Sequence, residues 1–216
     1  MEKAPVTRGS ASGAALVVRP LTQATWPALA ALFQEGGDPK WCWCAFWRTR
    51  GSGADRAHAS QNRALLRRLA AREDLAPGLV AFRDGRAVGW VSFGPRDDLV
   101  RLEHSKVLAR VDSRPVWSIV RFVVSRRERG RGVATRLLRA AVEYARDHGA
   151  TVLEAYPVET AGRTVPSAWA YTGTLGMFER EGFRVVMRRR AAPAMRPRPI
   201  VRRTVRALRR RPAAGK

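Results

Sequence analysis

The sequence predicts an α/β (α+β) domain, a mixed sheet with helices on both faces, and three stretches carry that prediction. In "GLVAFRDGRAVGWVSFGP" an Asp84–Gly85 turn joins two apolar runs, because that dipeptide tolerates the positive φ angles of a two-residue hairpin. "PVWSIVRFVV" is a mostly apolar run of β-branched and aromatic residues, and so a buried central strand. Shortly after it, Ala134, Leu137, Leu138, Ala141 and Ala145 recur at i, i+3, i+4, i+7, with Arg136, Arg139, Glu143 and Arg146 outside that stripe. Hairpin strands first, then alternating strand and helix, define a sheet layered between helices.

The remaining elements follow in order. Residues 1–13 are small and Pro/Gly-containing and read as a flexible tail. "ALVVRP" is a short strand, and "TQATWPALAALFQEGG" is a helix with Pro27 in its first turn and Gly36–Gly37 after its last. "DPKWCWCAFWRTRGSG" is an aromatic loop, and "DRAHASQNRALLRRLAAR" a second helix. Gly149 stands where the long helix should stop. "ATVLEAYP" is then a strand, "AWAYTGTLGMFEREG" a helix and "FRVVMRRR" the last strand. The expected domain is therefore 14–190, followed by a basic tail over 191–216.

A chain of 216 residues, 45% hydrophobic with seven Trp, is long enough to bury its own core. Its net charge is +23, and the stretch from Arg188 to the end holds twelve Lys or Arg and no acid. Setting those twelve aside leaves a net charge of +11 on the remainder, so the body is basic too. Such charge favours anionic partners without specifying them. Two cysteines, Cys42 and Cys44, cannot build a disulfide framework, and pairing across one residue is strained. They read as reduced thiols of a cytoplasmic protein. A Cys-x-Cys pair without further ligands at suitable spacing gives no metal site. No apolar run approaches the roughly 20 residues of a membrane span.

"SRRERGRGVATRLL" connects the central strand to the long helix. A strand leading through a glycine turn into a helix aims several backbone N–H groups at one point, and the helix end adds about half a positive charge. Gly130 and Gly132 let an anion approach where a Cβ would block it, and Arg129 and Arg131 add charged donors. A P-loop is excluded, since no Gly-Lys-Ser/Thr follows. A dinucleotide fingerprint fails because Arg136 stands where its third glycine belongs.

The run from Arg129 to Ala134 resembles the Arg/Gln-x-x-Gly-x-Gly/Ala signature of the GNAT acetyltransferases, and "YTGTLGMFEREGF" is similar to that family's later aromatic-Glu-x-x-Gly-Phe motif. The resemblance implies a mostly antiparallel sheet with one splayed parallel strand pair, here Val116–Val124 and Thr151–Tyr156, holding acyl-CoA. It implies acetyl-CoA as donor, its pyrophosphate on Arg129, Gly130, Arg131, Gly132, Val133, Ala134 and Thr135, and its pantetheine arm along Phe122, Val123 and Val124. The resemblance also implies an amine of a small molecule or protein as acceptor, which attacks the thioester while a backbone N–H steadies the oxyanion and the CoA thiolate leaves.

The base and acid are open at this stage. Many relatives carry a Glu on the strand before the glycine turn; this strand has Ser118 and Arg121. Glu154, Glu159 and Glu103 are the available carboxylates, and Tyr171 a candidate hydroxyl seven residues before Phe178, which occupies the family's usual Tyr position. Trp41, Trp43 and Trp47 with Phe46 either wall the acceptor pocket or lid the core. In the tail, Ile200, Val201, Val205 and Leu208 fall near helical spacing among arginines, which suits an amphipathic helix on an anionic membrane surface, a nucleic-acid contact or a disordered segment. A non-catalytic module binding nucleic acid or a membrane surface is the competing function.

Overall fold

The computed structural model describes residues 15–50, 56–160, 170–192, 195 and 197–206. The expected N-terminal tail and Leu208 lie outside them. Seven strands form one sheet: β1 (Val17–Pro20), β2 (Gly78–Arg83), β3 (Arg86–Pro95), β4 (Trp117–Val124), β5 (Val152–Ala155), β6 (Arg184–Arg189) and β7 (Arg198–Thr204). Their spatial order is β1-β2-β3-β4-β5-β7-β6. Every pairing is antiparallel except β4–β5. The hairpin forms as expected, with Asp84 at φ 50° and Gly85 at φ 74°.

The helices are α1 (Trp26–Gln34), α2 (Pro39–Cys42), α3 (Ala59–Ala70), α4 (Val133–Asp147) and α5 (Leu175–Arg180). On one face, Leu137, Leu138, Ala141 and Ala145 of α4 pack with Val91, Phe93, Ile119 and Leu153, and α5 joins them through Leu175 and Phe178. On the other, Leu29 and Phe33 of α1 and Leu66 of α3 enclose Val80 and Trp90. A third cluster gathers Trp47, Leu99, Leu102, Val120, Tyr156 and Ile200. The apolar stripe read along α4 is the buried one, except that Ala134 is only half-buried and Val133 and Val142 take fuller places.

Two expectations are corrected. "FRVVMRRR" is β6 but not the last strand: residues 198–204, expected in the basic tail with helical spacing, form β7 and insert between β5 and β6. Ile200 and Val201 are fully buried there. The domain therefore runs past Arg190 to at least Thr204. The helix read from "AWAYTGTLGMFEREG" is also shorter, since residues 170–172 form a 3-10 turn and α5 starts only at Leu175, after Gly173 at φ 83°. Tyr171 is on that turn and not on a helix face shared with Phe178.

Candidate active site

β4 and β5 pair through only three positions, Trp117↔Leu153, Ser118↔Glu154 and Ile119↔Ala155. β5 ends at Ala155 while β4 continues to Val124. Beyond Ile119 the β5-side edge of β4, with Phe122, Val123 and Val124, has no strand partner among the described residues. After β5 the chain pairs instead with the segment leading into α5, Val158 bridging in parallel to Thr174. On the opposite edge a register shift between Ser92 and Phe93 leaves Val120 as an extra residue in β4. Such a bulge bends a strand and re-aims its side chains.

The glycine turn lies at the end of this open edge. Gly130 has φ 75°, and Gly132 has φ 78° and caps α4 without any side-chain cap bond. The first-turn amides of Val133, Ala134 and Thr135 thus lack intrahelical acceptors. An added Cβ at Gly130 or Gly132 would meet nothing within 4 Å, so the space over the helix end is open. The turn is held from below: Glu128 is buried and pairs with Arg83 at 3.1 Å and Arg131 at 3.3 Å, and Arg129 Nε donates to Val124 O at 3.4 Å. Gly89 of β3 lets the helix start lie close, because a Cβ there would fall 2.6 Å from Val133 Cγ1. The cradle fits an anionic pyrophosphate with arginines around it, and the free β4 edge fits an extended amide-bearing arm beside it.

The candidate catalytic carboxylates fare differently. Glu154 is fully buried. Its Oε1 meets Arg96 Nη1 at 3.1 Å and accepts from Tyr156 at 2.6 Å, and its Oε2 accepts from Arg202 Nε at 2.8 Å. Tyr156 also meets Ser118 Oγ at 2.9 Å, and burial with the Glu154 charge pushes its phenol well up. A carboxylate with both oxygens committed to two guanidiniums inside the core is a structural charge, which corrects its reading as the base. Glu103 is engaged by Arg96 and Arg110. Glu159 is half-buried, with Arg188 at 3.5 Å. Tyr171 lies on the open side of β4, its ring 5.2 Å from the Arg121 guanidinium carbon. Phe178 is fully buried against Phe122 and Phe183.

The aromatic loop is mostly core. Trp43 stacks on Trp26 at 5.6 Å and packs against Phe33, and Trp47 is buried in the third cluster. Neither has a face left for an acceptor, which corrects their reading as pocket walls. The loop turns inward through left-handed conformations at Trp43 (φ 45°) and Cys44 (φ 54°), which its spacing did not reveal. Trp41 keeps a half-exposed face, with the Lys40 ammonium 4.9 Å from the ring centre. Cys42 and Cys44 are free and buried. The Cys44 hydrogen bond pulls the Cys42 thiol down to about 6, helped by Arg121, while burial pushes Cys44 up. The sequence signal for Arg121 is a charge inside an otherwise apolar central strand.

The profile of the Acetyltransferase (GNAT) family matches residues 28–165, and the chain belongs to that family; it is an acyltransferase enzyme of mixed α/β architecture. No curated protein matches it in sequence. Among solved structures it is similar to a GCN5-related N-acetyltransferase from Kribbella flavida, with 22% identity over 88% of this chain and 98% of that one and a TM-score of 0.54. It is likewise similar to a polyamine N-acetyltransferase of Drosophila melanogaster that forms N-acetylagmatine, with 16% identity over 88% and 100% and a TM-score of 0.55. A GNAT acetyltransferase from Streptococcus pneumoniae matches at 16% identity over 88% and 99%, TM-score 0.52. At these identities the likeness is one of fold. Among the described residues no helix is long and apolar enough to cross a membrane.

Proposed function

We propose that this acyltransferase uses acetyl-CoA and moves the acetyl group to an amine of a small molecule or protein in the cytoplasm. The observation that carries the reading is the end of β4–β5 pairing at Ile119↔Ala155 beside the uncapped, glycine-lined start of α4. That juxtaposition gives one continuous path: amides of the glycine turn and Arg129 and Arg131 for the pyrophosphate, then the edge of β4 along Phe122, Val123 and Val124 for the arm, where the amides of Phe122 and Val124 face outward and that of Val123 turns to β3. The acyl carbonyl then reaches the gap past Ile119, where a β4 backbone N–H steadies the developing oxyanion. The amine enters from the side of Trp41 and Tyr171.

With Glu154 locked in ion pairs and Phe178 without a proton, side-chain proton transfer falls to Tyr171 as acid and to Glu159, through water, as base. The competing reading, a non-catalytic module that binds nucleic acid or a membrane through its basic end, is weakened because β7 takes residues 198–204 into the sheet. The test is calorimetric binding of acetyl-CoA, followed by free-CoA release across a panel of amines. Absence of binding sinks the reading. Tyr171→Phe should remove the basic limb of the kcat pH profile and leave acetyl-CoA affinity unchanged; an unchanged profile removes Tyr171 from the mechanism.

A further inference from the structure

Arg121 is a charged side chain in the middle of β4, 8% exposed. Its Nε is buried with no hydrogen-bond partner. The carboxylate paired with it, Asp38, is 3.9 Å from Nη2 and has a side chain 76% exposed. The Tyr171 ring stands 5.2 Å away on one side. The thiols of Cys42 and Cys44 lie close enough on the other to influence it. Burial works against the charge, and the acidic groups around it, the two thiols and Asp38, favour it.

The other buried arginines are better met: Arg48, whose Nε is likewise unpartnered, still donates to the carbonyls of Pro77 and Phe93. Arg96 is met by Glu154, Glu103 and two carbonyls, and Arg202 by Glu154 and Asp112. A buried guanidinium with so little hydrogen bonding is costly unless something else completes it. Its rigid fork matches one ligand shape best, a planar carboxylate taken through two N–H groups. Sulfur offers a single soft acceptor, and Asp38 is too distant and too wet to serve. Arg121 lies two residues past the last β4–β5 pair and just after the extra residue Val120, so it stands at the mouth of the gap.

We infer that Arg121 anchors a carboxylate in the acyl-transfer gap, which makes the preferred acceptor an amine that also carries a carboxyl group, such as an amino acid. This rests on the acyltransfer reading above. The same chemistry would be met by an acyl chain ending in a carboxylate, and the two sources separate experimentally. Each amino acid is compared with its carboxamide as acceptor, using acetyl-CoA; succinyl-CoA is compared with acetyl-CoA, using a neutral amine.

The wild-type enzyme should favour the carboxylate acceptor by about 10- to 100-fold in kcat/KM, the worth of a charged hydrogen-bond pair. Arg121→Gln should erase that preference by raising KM for the amino acid and not for its amide, with acetyl-CoA affinity intact by calorimetry. Arg121→Lys, which keeps the charge and loses the fork, should retain part of it and serves if the Gln variant misfolds. A preference seen only between donors assigns the carboxylate to the acyl chain. Wild-type indifference in both arms, or a preference that survives Arg121→Gln, overturns the inference alone. Failure of acetyl-CoA to bind removes the parent reading and this one with it.

Discussion

Glu154 of β5 and Arg202 of β7 are directly opposed across antiparallel strands and joined by a 2.8 Å Oε2–Nε hydrogen bond. Glu154 is fully buried and Arg202 only 8% exposed. Arg96 completes the pair from the other side. Removing one member of a buried ionic cluster strands the others in a medium that solvates them poorly. Arg202→Met is therefore expected to destabilise the domain by about 3–5 kcal/mol, read as a thermal midpoint lower by roughly 10 °C. The double variant Arg202→Met/Glu154→Gln should recover part of that loss. A single variant as stable as wild type would show that the cluster is exchangeable packing.

Deleting residues 191–216 should abolish native packing, because it removes β7 from between β5 and β6 and exposes the cavity left by Ile200 and Val201. Near-UV circular dichroism distinguishes loss of fixed tertiary structure from a merely shortened chain. A soluble, cooperatively folding 1–190 fragment would restore the boundary that the sequence suggests.

The strand that supplies Arg202 shows why the sequence was legible in some places and not in others. Asp84–Gly85, the Arg129–Gly132 turn and the α4 stripe are local signals, each fixed by backbone conformation or periodicity within a few residues. β7 was not readable because its arginines look solvated from their neighbours alone. The partners of Arg202, Glu154 and Asp112, lie 48 and 90 residues away. The same distance problem made Glu154 look like a free base and hid the burial of Trp43, which depends on stacking with Trp26 of α1. The gap itself was foreseeable only through family resemblance; nothing in the local pattern marks where β5 stops pairing.

Asp112 links the same cluster to pH. The hydrogen bond from Arg202 holds its carboxyl at about 2, below the ordinary 3.8. A depressed folded-state pKa stabilises the fold above the unfolded value, and that contribution fades as pH falls through the folded one. Asp112→Asn should therefore be less stable than wild type near neutral pH, with the difference closing between about pH 4 and pH 2. Chemical denaturation of both proteins across that window checks it; a constant difference would mean the carboxylate charge is irrelevant.

At the glycine turn, Gly132→Glu places bulk and negative charge where the pyrophosphate is expected. Nothing lies within 4 Å of the added Cβ, so the fold should survive with about 1–2 kcal/mol of left-handed strain. Acetyl-CoA affinity should fall by more than about 100-fold, the scale of a lost charged contact plus repulsion. Gly132→Ala carries the strain without the charge and should lose far less. Equal affinities for the two variants, measured calorimetrically, would place the anion elsewhere.

Phe178 stands where the family resemblance places a proton donor, and a first expectation is that Phe178→Tyr restores one. The structure argues otherwise. The ring is fully buried, edge-on to Phe122 at 6.2 Å and to Phe183 at 5.1 Å, with Gly173 so close that a Cβ there would fall 2.8 Å from Phe178 Cε2. A hydroxyl added to this apolar cluster has no acceptor among those neighbours and should cost about 1–3 kcal/mol as an unsatisfied buried donor. The expected outcome is a lower thermal midpoint with turnover unchanged or reduced. Faster turnover with an undiminished midpoint would mean that the para edge of the ring reaches the gap beyond Ile119, and that position 178, not Tyr171, is where the leaving thiolate is protonated.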